Sequence, residues 1–142
     1  MSATIARLRD AVRASGTPLA SALSHGAADP GGDERALLAA DGPRVAAHRE
    51  DVEIAVAAVD EGYRLHYATP RALHIDDPNL ALLAGDRMYA LGLARLAAIG
   101  DLLAIAELAD IISLSAQAHA DGDDASADAA WQAGVAAIAG NA

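Results

Sequence analysis

The chain has 142 residues, 54% of them hydrophobic, and a formal charge of −10. That length suits a single domain, and that charge repels nucleic-acid phosphates and anionic membrane surfaces alike. Cysteine is absent, which excludes disulfides, thiolate metal sites and a cysteine nucleophile.

Much of the hydrophobic share is alanine, and there is no phenylalanine. Alanine buries little area, whereas each buried Leu or Ile contributes about 1.5–3 kcal/mol. The packing therefore falls to Leu, Ile, Val, Met88, Trp131 and the tyrosines, concentrated between Val45 and Leu114. The two ends read as weaker. Good helix formers dominate, and Ile111-Ile112 is the only adjacent pair of β-branched aliphatics, so an all-α fold is expected.

Ser2 can cap a first helix reaching Ser15, with Ile5, Leu8 and Val12 at helical spacing and Gly16 as its stop. Thr17-Pro18 reads as a cap followed by Pro at the first position of a short helix. Residues 26–32, GAADPGG, are the clearest loop. A short helix over residues 33–40 ends at Asp41-Gly42-Pro43.

Pro43 then opens a long helix expected to reach Tyr67. Val45, His48, Val52, Ala55, Val59, Tyr63 and His66 form its apolar seam. Glu50, Glu53, Asp60, Glu61 and Arg64 populate the other, solvated side, where Asp60 and Arg64 stand one turn apart and can pair. Thr69-Pro70 ends this helix.

Asp77-Pro78 starts a helix to Ala98, and Asp101 caps another to Ala120. Both are apolar around most of their circumference and so demand cover on nearly all sides. A short chain is poorly supplied with such cover, which points to a partner chain. Ala81 and Gly85, and Ala90, Ala94 and Ala98, form rows of small residues that admit close helix approach. Gly85 and Gly92 each cost a helix about 0.5–1 kcal/mol, which implies a packing role. On that argument Gly85→Leu should be disruptive and Gly134→Ala near neutral. The turn at residues 121–124 precedes a last helix over residues 126–139. Short loops at Gly100 and Gly122 imply antiparallel neighbours. The expected architecture is a single domain over residues 1–142: an antiparallel bundle of five to six helices, with residues 43–142 as core and residues 1–42 as a weaker N-terminal part.

The stretch Leu82-Leu83-Ala84-Gly85-Asp86, then Met88-Tyr89-Ala90-Leu91 and residues 96–101 (LAAIGD), resembles the trans-isoprenyl (polyprenyl) diphosphate synthases. Pro70 and His74 sit where that family has a Pro and a His before its LAGD helix. The resemblance covers residues 70–122 and implies a truncated isoprenoid-synthase fold. That family's catalysis needs two Asp-rich motifs that hold magnesium and diphosphate. This chain has neither motif and no lysine. What the resemblance implies is therefore a non-catalytic accessory subunit or paralogue, with Leu83, Ala84, Gly85, Asp86 and His74 as the family-like residues. Such a subunit associates through helices, either with a larger synthase-like subunit or with itself. Met88, Tyr89, Leu93, Leu102, Ile105 and Ile112 are the candidate interface, although Met88 and Tyr89 also read as core.

Outside that resemblance the chemistry is sparse. His48 and Asp51 have a three-residue spacing but no E-x-x-H or H-E-x-x-H frame. Asp76 and Asp77 beside His74 read as helix-capping carboxylates. His119, Asp121, Asp123 and Asp124 lack the EF-hand ligand order. Asp86, Arg87 and Arg95 read as ion-pairing residues at the bundle edge. No nucleophile motif or phosphate loop is found. No catalytic residue, metal or cofactor is therefore assigned. The alternatives to an accessory subunit are a homodimeric bundle around an apolar small molecule and an enzyme of unassigned class using the histidines. The N-terminus lacks an unbroken apolar run. Charges interrupt the apolar windows at residues 80–99 and 102–120. No membrane span and a cytoplasmic location are expected.

Overall fold

A computed structural model describes residues 2–24, 26, 28 and 30–141. Among the described residues the chain is an all-α helical bundle. Its helices are α1 (Ala3–Ala14), α2 (Glu34–Ala40), α3 (Arg49–Tyr67), α4 (Pro78–Ala98), α5 (Leu102–Ala120) and α6 (Asp124–Ala139), with 3-10 turns at Pro18–Ala22, Pro30–Gly32 and Pro43–His48. Ala27 and Asp29, within the loop expected at residues 26–32, lie outside the described residues.

Three of the caps fall where the sequence places them, whereas Thr17 makes no side-chain cap bond and α6 begins at Asp124, two residues before its expected start. Ser2, Asp77 and Asp101 each accept a backbone N–H at the start of α1, α4 and α5. Asp123 does the same for α6. These bonds satisfy donors that the first helical turn leaves unpaired.

The helix surrounded on all sides is α3, not the α4–α5 pair. Every residue from Val52 to Tyr63 is buried. Helix α4 provides its most extensive packing, α2 the next and α1 covers another part. Helices α3 and α4 run antiparallel, because Gly62 meets Gly85 while Ala55 and Val59 meet Gly92. Helix α5 packs chiefly on α6 and touches α4 far less, despite the three-residue connection between α4 and α5. Gly100 makes that turn with φ of +73°.

Three expectations are corrected. The helix opened by Pro43 is not continuous: residues 43–48 form a 3-10 turn and α-helix begins at Arg49, because His48 departs from helical geometry (φ −134°, ψ 36°). The preceding segment is tied to the far end of the bundle, where Arg44 bonds both carboxylate oxygens of Asp101 at 2.9 and 2.8 Å and the Ile138 carbonyl at 2.7 Å. The ends are not peripheral either. Leu8, Val12, Trp131 and Ile138 are fully or almost fully buried, so most of their few large side chains face inward, Leu38 being the exception. Nor is Gly134 an open position, since a Cβ there would run into the buried Ile111 side chain.

Both α4 and α5 keep an uncovered outer face. On α4 it carries Leu80, Leu83, Arg87, Ala90 and Ala94; on α5 it carries Leu102, Leu103, Ala106, Asp110 and Leu114. Leu102 and Leu83 are 76% and 66% exposed. By length and composition alone Leu102–Ala120 also qualifies as a candidate span, and only 28% of its most apolar window is buried.

Candidate functional site

On the side of α3 expected to be solvated, Glu50 is exposed, but Glu53, Asp60 and Glu61 are buried. Glu53 and Asp60 are seven residues apart and share one helix face, with Glu61 beside them. Glu53, 0% exposed, accepts from Thr4 Oγ1 at 2.9 Å, Arg7 Nη1 at 2.8 Å and Arg49 Nη1 at 3.0 Å. Asp60 is held between two guanidinium groups, Arg35 Nη1 at 2.7 Å and Arg64 Nε at 3.3 Å. The pairing of Asp60 with Arg64 follows the sequence spacing; the contribution of α2 through Arg35 does not. Asp33 accepts from Ser2 Oγ at 2.8 Å and Arg71 Nη1 at 2.8 Å. Charges buried this deeply persist only when paired and hydrogen-bonded.

Glu61 has backbone partners instead. The N–H groups of Arg71, Ala72 and Leu73 donate to it at 2.8, 2.9 and 2.9 Å. Its carboxyl is nonetheless pushed above the ordinary glutamate range, chiefly by burial, with those three N–H groups pulling the other way. The bonds fix the Arg71–Leu73 segment, which also pairs with Leu23 through one antiparallel bridge.

Next to Asp60 the surface opens into a cleft of about 500 Å³ between α2 and α6. Leu38, Trp131 and Val135 form apolar walls, Arg35 and Arg64 line it from α2 and α3, and Asp128 stands at its rim. The Arg35 guanidinium lies 4.3 Å from the Trp131 ring centre and 5.2 Å from that of Tyr63. This stacking suits a guanidinium already fixed by Asp60. The indole Nε1 of Trp131 is buried without a partner. The cleft is a surface feature, not a cavity inside the core, where an apolar ligand was expected to sit.

The histidines are spread over several locations. His119 Nε2 lies 2.6 Å from the Tyr63 hydroxyl, its Nδ1 lies 3.4 Å from Asp124 and its ring stacks on Tyr67 at 4.1 Å. The direction of the Tyr63–Nε2 bond follows the His119 tautomer: with the proton on Nδ1, beside Asp124, the Tyr63 hydroxyl donates. Burial raises the Tyr63 phenol above its usual range, which keeps it a donor. His66 Nε2 faces the Leu82 carbonyl at 2.9 Å and Asp86 at 3.3 Å. His74 is exposed beside Asp76, and His48 is exposed with Asp51 at 3.9 Å. Among the described residues no three His, Asp or Glu side chains converge as a metal-binding group.

The family-like residues do not form one site. Gly85 and Ala84 are buried, Gly85 against the His66 ring of α3. Leu83, Asp86 and His74 are exposed. Among the candidate interface residues, Met88 and Tyr89 are buried within this chain and are withdrawn as contacts for a second one. Leu93, Ile105 and Ile112 are partly buried against the core, and Leu102 is free at the surface. Arg95 pairs with Asp51 at 3.1 Å, an edge ion pair of the expected kind.

Sequence reasoning missed Arg35, Trp131 and the buried state of Glu53 and Glu61. The usable signal was the i, i+7, i+8 spacing of Glu53, Asp60 and Glu61, matched by arginines on α1 and α2. The sequence matches no known protein family, no curated protein and no solved structure.

Proposed function

We propose that this chain works without chemistry of its own, as an accessory subunit that associates through the outer faces of α4 and α5. One observation carries the reading: two long helices of the same hairpin each hold exposed leucines that no described segment covers. Several exposed leucines on neighbouring helices mark a candidate association site. The partner class is a trans-isoprenyl diphosphate synthase, supported by the LAGD helix pair and by the missing Asp-rich motifs in the sequence. Co-purification from the native host tests it. Recovery with a synthase, and a change in product chain length on removal of this chain, are expected. Recovery without one, with chain length unchanged, would overturn the partner.

Self-pairing is the second reading, favoured by charge. Arg87 is exposed and unpaired on the α4 face, and Asp110 is exposed and unpaired on the α5 face. In a two-fold dimer each α4 would meet the α5 of its mate with both charges opposed. Light scattering on the purified chain separates the two readings. A dimer dissociated by Leu102→Asp supports self-pairing; a monomer at all concentrations rules it out.

A further inference from the structure

We propose that the cleft between α2 and α6 binds a small monocarboxylic acid with an apolar body, Arg64 receiving the carboxylate and Leu38, Trp131 and Val135 enclosing the tail. Three observations support this assignment independently of the α4–α5 faces.

The first is size and lining. A volume of about 500 Å³ falls within the range of small-molecule sites. The walls are apolar, and Leu38 at the mouth is 63% exposed, an apolar side chain with nothing over it.

The second is an available donor. Arg64 spends only its Nε on Asp60, and neither terminal nitrogen has a partner. A quarter of the Arg64 side chain remains exposed. A guanidinium whose two terminal nitrogens are both free can receive a carboxylate across the edge between them.

The third is local charge. Asp60 serves two guanidinium groups, so one positive charge at the cleft floor is uncompensated by it. Asp128 lies 3.8 Å from Arg35, but its side chain is 66% exposed and screened by water. Glu34 is likewise exposed at the rim. Arg35 already stands over the Trp131 ring, and a second cation there would meet its positive charge.

The test uses sodium octanoate, with 1-octanol and octylamine as neutral and cationic probes of matched length. Trp131 is the single tryptophan and lines the cleft, so a change in its emission is assigned to one position. Octanoate should produce a saturable change below its micelle concentration and bind about tenfold tighter than either matched probe. Arg64→Gln should lose about that factor for octanoate and none for octanol. Since Arg64 also supports Asp60, Leu38→Asp is the second variant: it sits at an exposed position and should weaken octanoate by repulsion while the fold is kept. Equal affinity for all three probes, an unchanged octanoate titration in Leu38→Asp, or no saturable change at all would each overturn the assignment.

Discussion

Gly62 on α3 and Gly85 on α4 face each other so closely that a methyl on Gly62 would lie 2.7 Å from the Gly85 carbonyl oxygen, and one on Gly85 would lie 3.0 Å from that of Gly62. For Gly62 the obstacles are the Gly85 carbonyl and the Tyr89 ring; for Gly85 the nearest is the His66 ring, with the Gly62 carbonyl next. Gly85→Ala and Gly62→Ala should each cost about 1–3 kcal/mol by overpacking, and Gly85→Leu should prevent α4 from seating. Gly134→Ala is the informative comparison. Its obstacle is the end of the Ile111 side chain, which can shift, and the helix gains up to about 1 kcal/mol from Ala. Urea unfolding should place Gly134→Ala well above Gly85→Ala in midpoint. Coincident midpoints would remove the close-approach argument.

Asp60 is the shared acceptor of Arg35 and Arg64. Asp60→Asn leaves two partly buried cations facing a neutral amide, and a loss of about 3–5 kcal/mol is expected. Glu53→Gln should behave similarly, since Arg7 and Arg49 then lose their common partner. Chemical denaturation measures both, and a change below about 1 kcal/mol for either would mean that the group was solvated after all.

The pH dependence of stability separates Glu61 from Asp101 by sign. The Glu61 carboxyl is raised above its ordinary 4.5, chiefly by burial. Its favourable contribution is therefore complete below 4.5 and is lost as pH climbs through the raised folded value. Asp101 is lowered from 3.8, chiefly by its hydrogen bonds from Arg44. It stabilises the fold above 3.8, and the contribution disappears as pH falls through the depressed value. Unfolding free energies across acid to neutral pH should show the wild-type advantage over Glu61→Gln shrinking as pH rises, and that over Asp101→Asn growing. The same trend in both variants would contradict one assignment.

Helix α5 has the length and composition of a bilayer span, yet Glu107 and Asp110 lie on it. Charges at mid-bilayer depth are expensive. The chain is expected to stay behind when vesicles of neutral lipid are floated through a density gradient. Flotation with the vesicles, abolished by Leu103→Asp, would reassign the uncovered α5 face to lipid.

Much of the fold is readable from the sequence because its punctuation is strong. Ser2, Asp77, Asp101 and Asp123 all cap as side chains of that kind do, and Gly16, Gly100 and Gly122 take the left-handed backbone that ends a helix. The identity of the central helix is not readable. Helices α4 and α5 have the more apolar sequences, but α3 is the one enclosed, because Glu53 and Asp60 are matched by Thr4, Arg7 and Arg35, and Glu61 by the backbone N–H groups of residues 71–73, all from distant segments. A stripe of carboxylates is ordinarily solvated, and only tertiary structure supplies the cations that bury it. The cleft was hidden for the same reason: Leu38, Arg64 and Trp131 come from three helices with no shared motif.

Arg44 reaches from the turn before α3 to the first residue ahead of α5 and to the last turn of α6. One side chain thus fastens three segments that lie up to 94 positions apart along the polymer. Slow amide exchange at those places should break down together, as a single opening event, and neither half of a chain severed at Gly100 would retain the fastening alone.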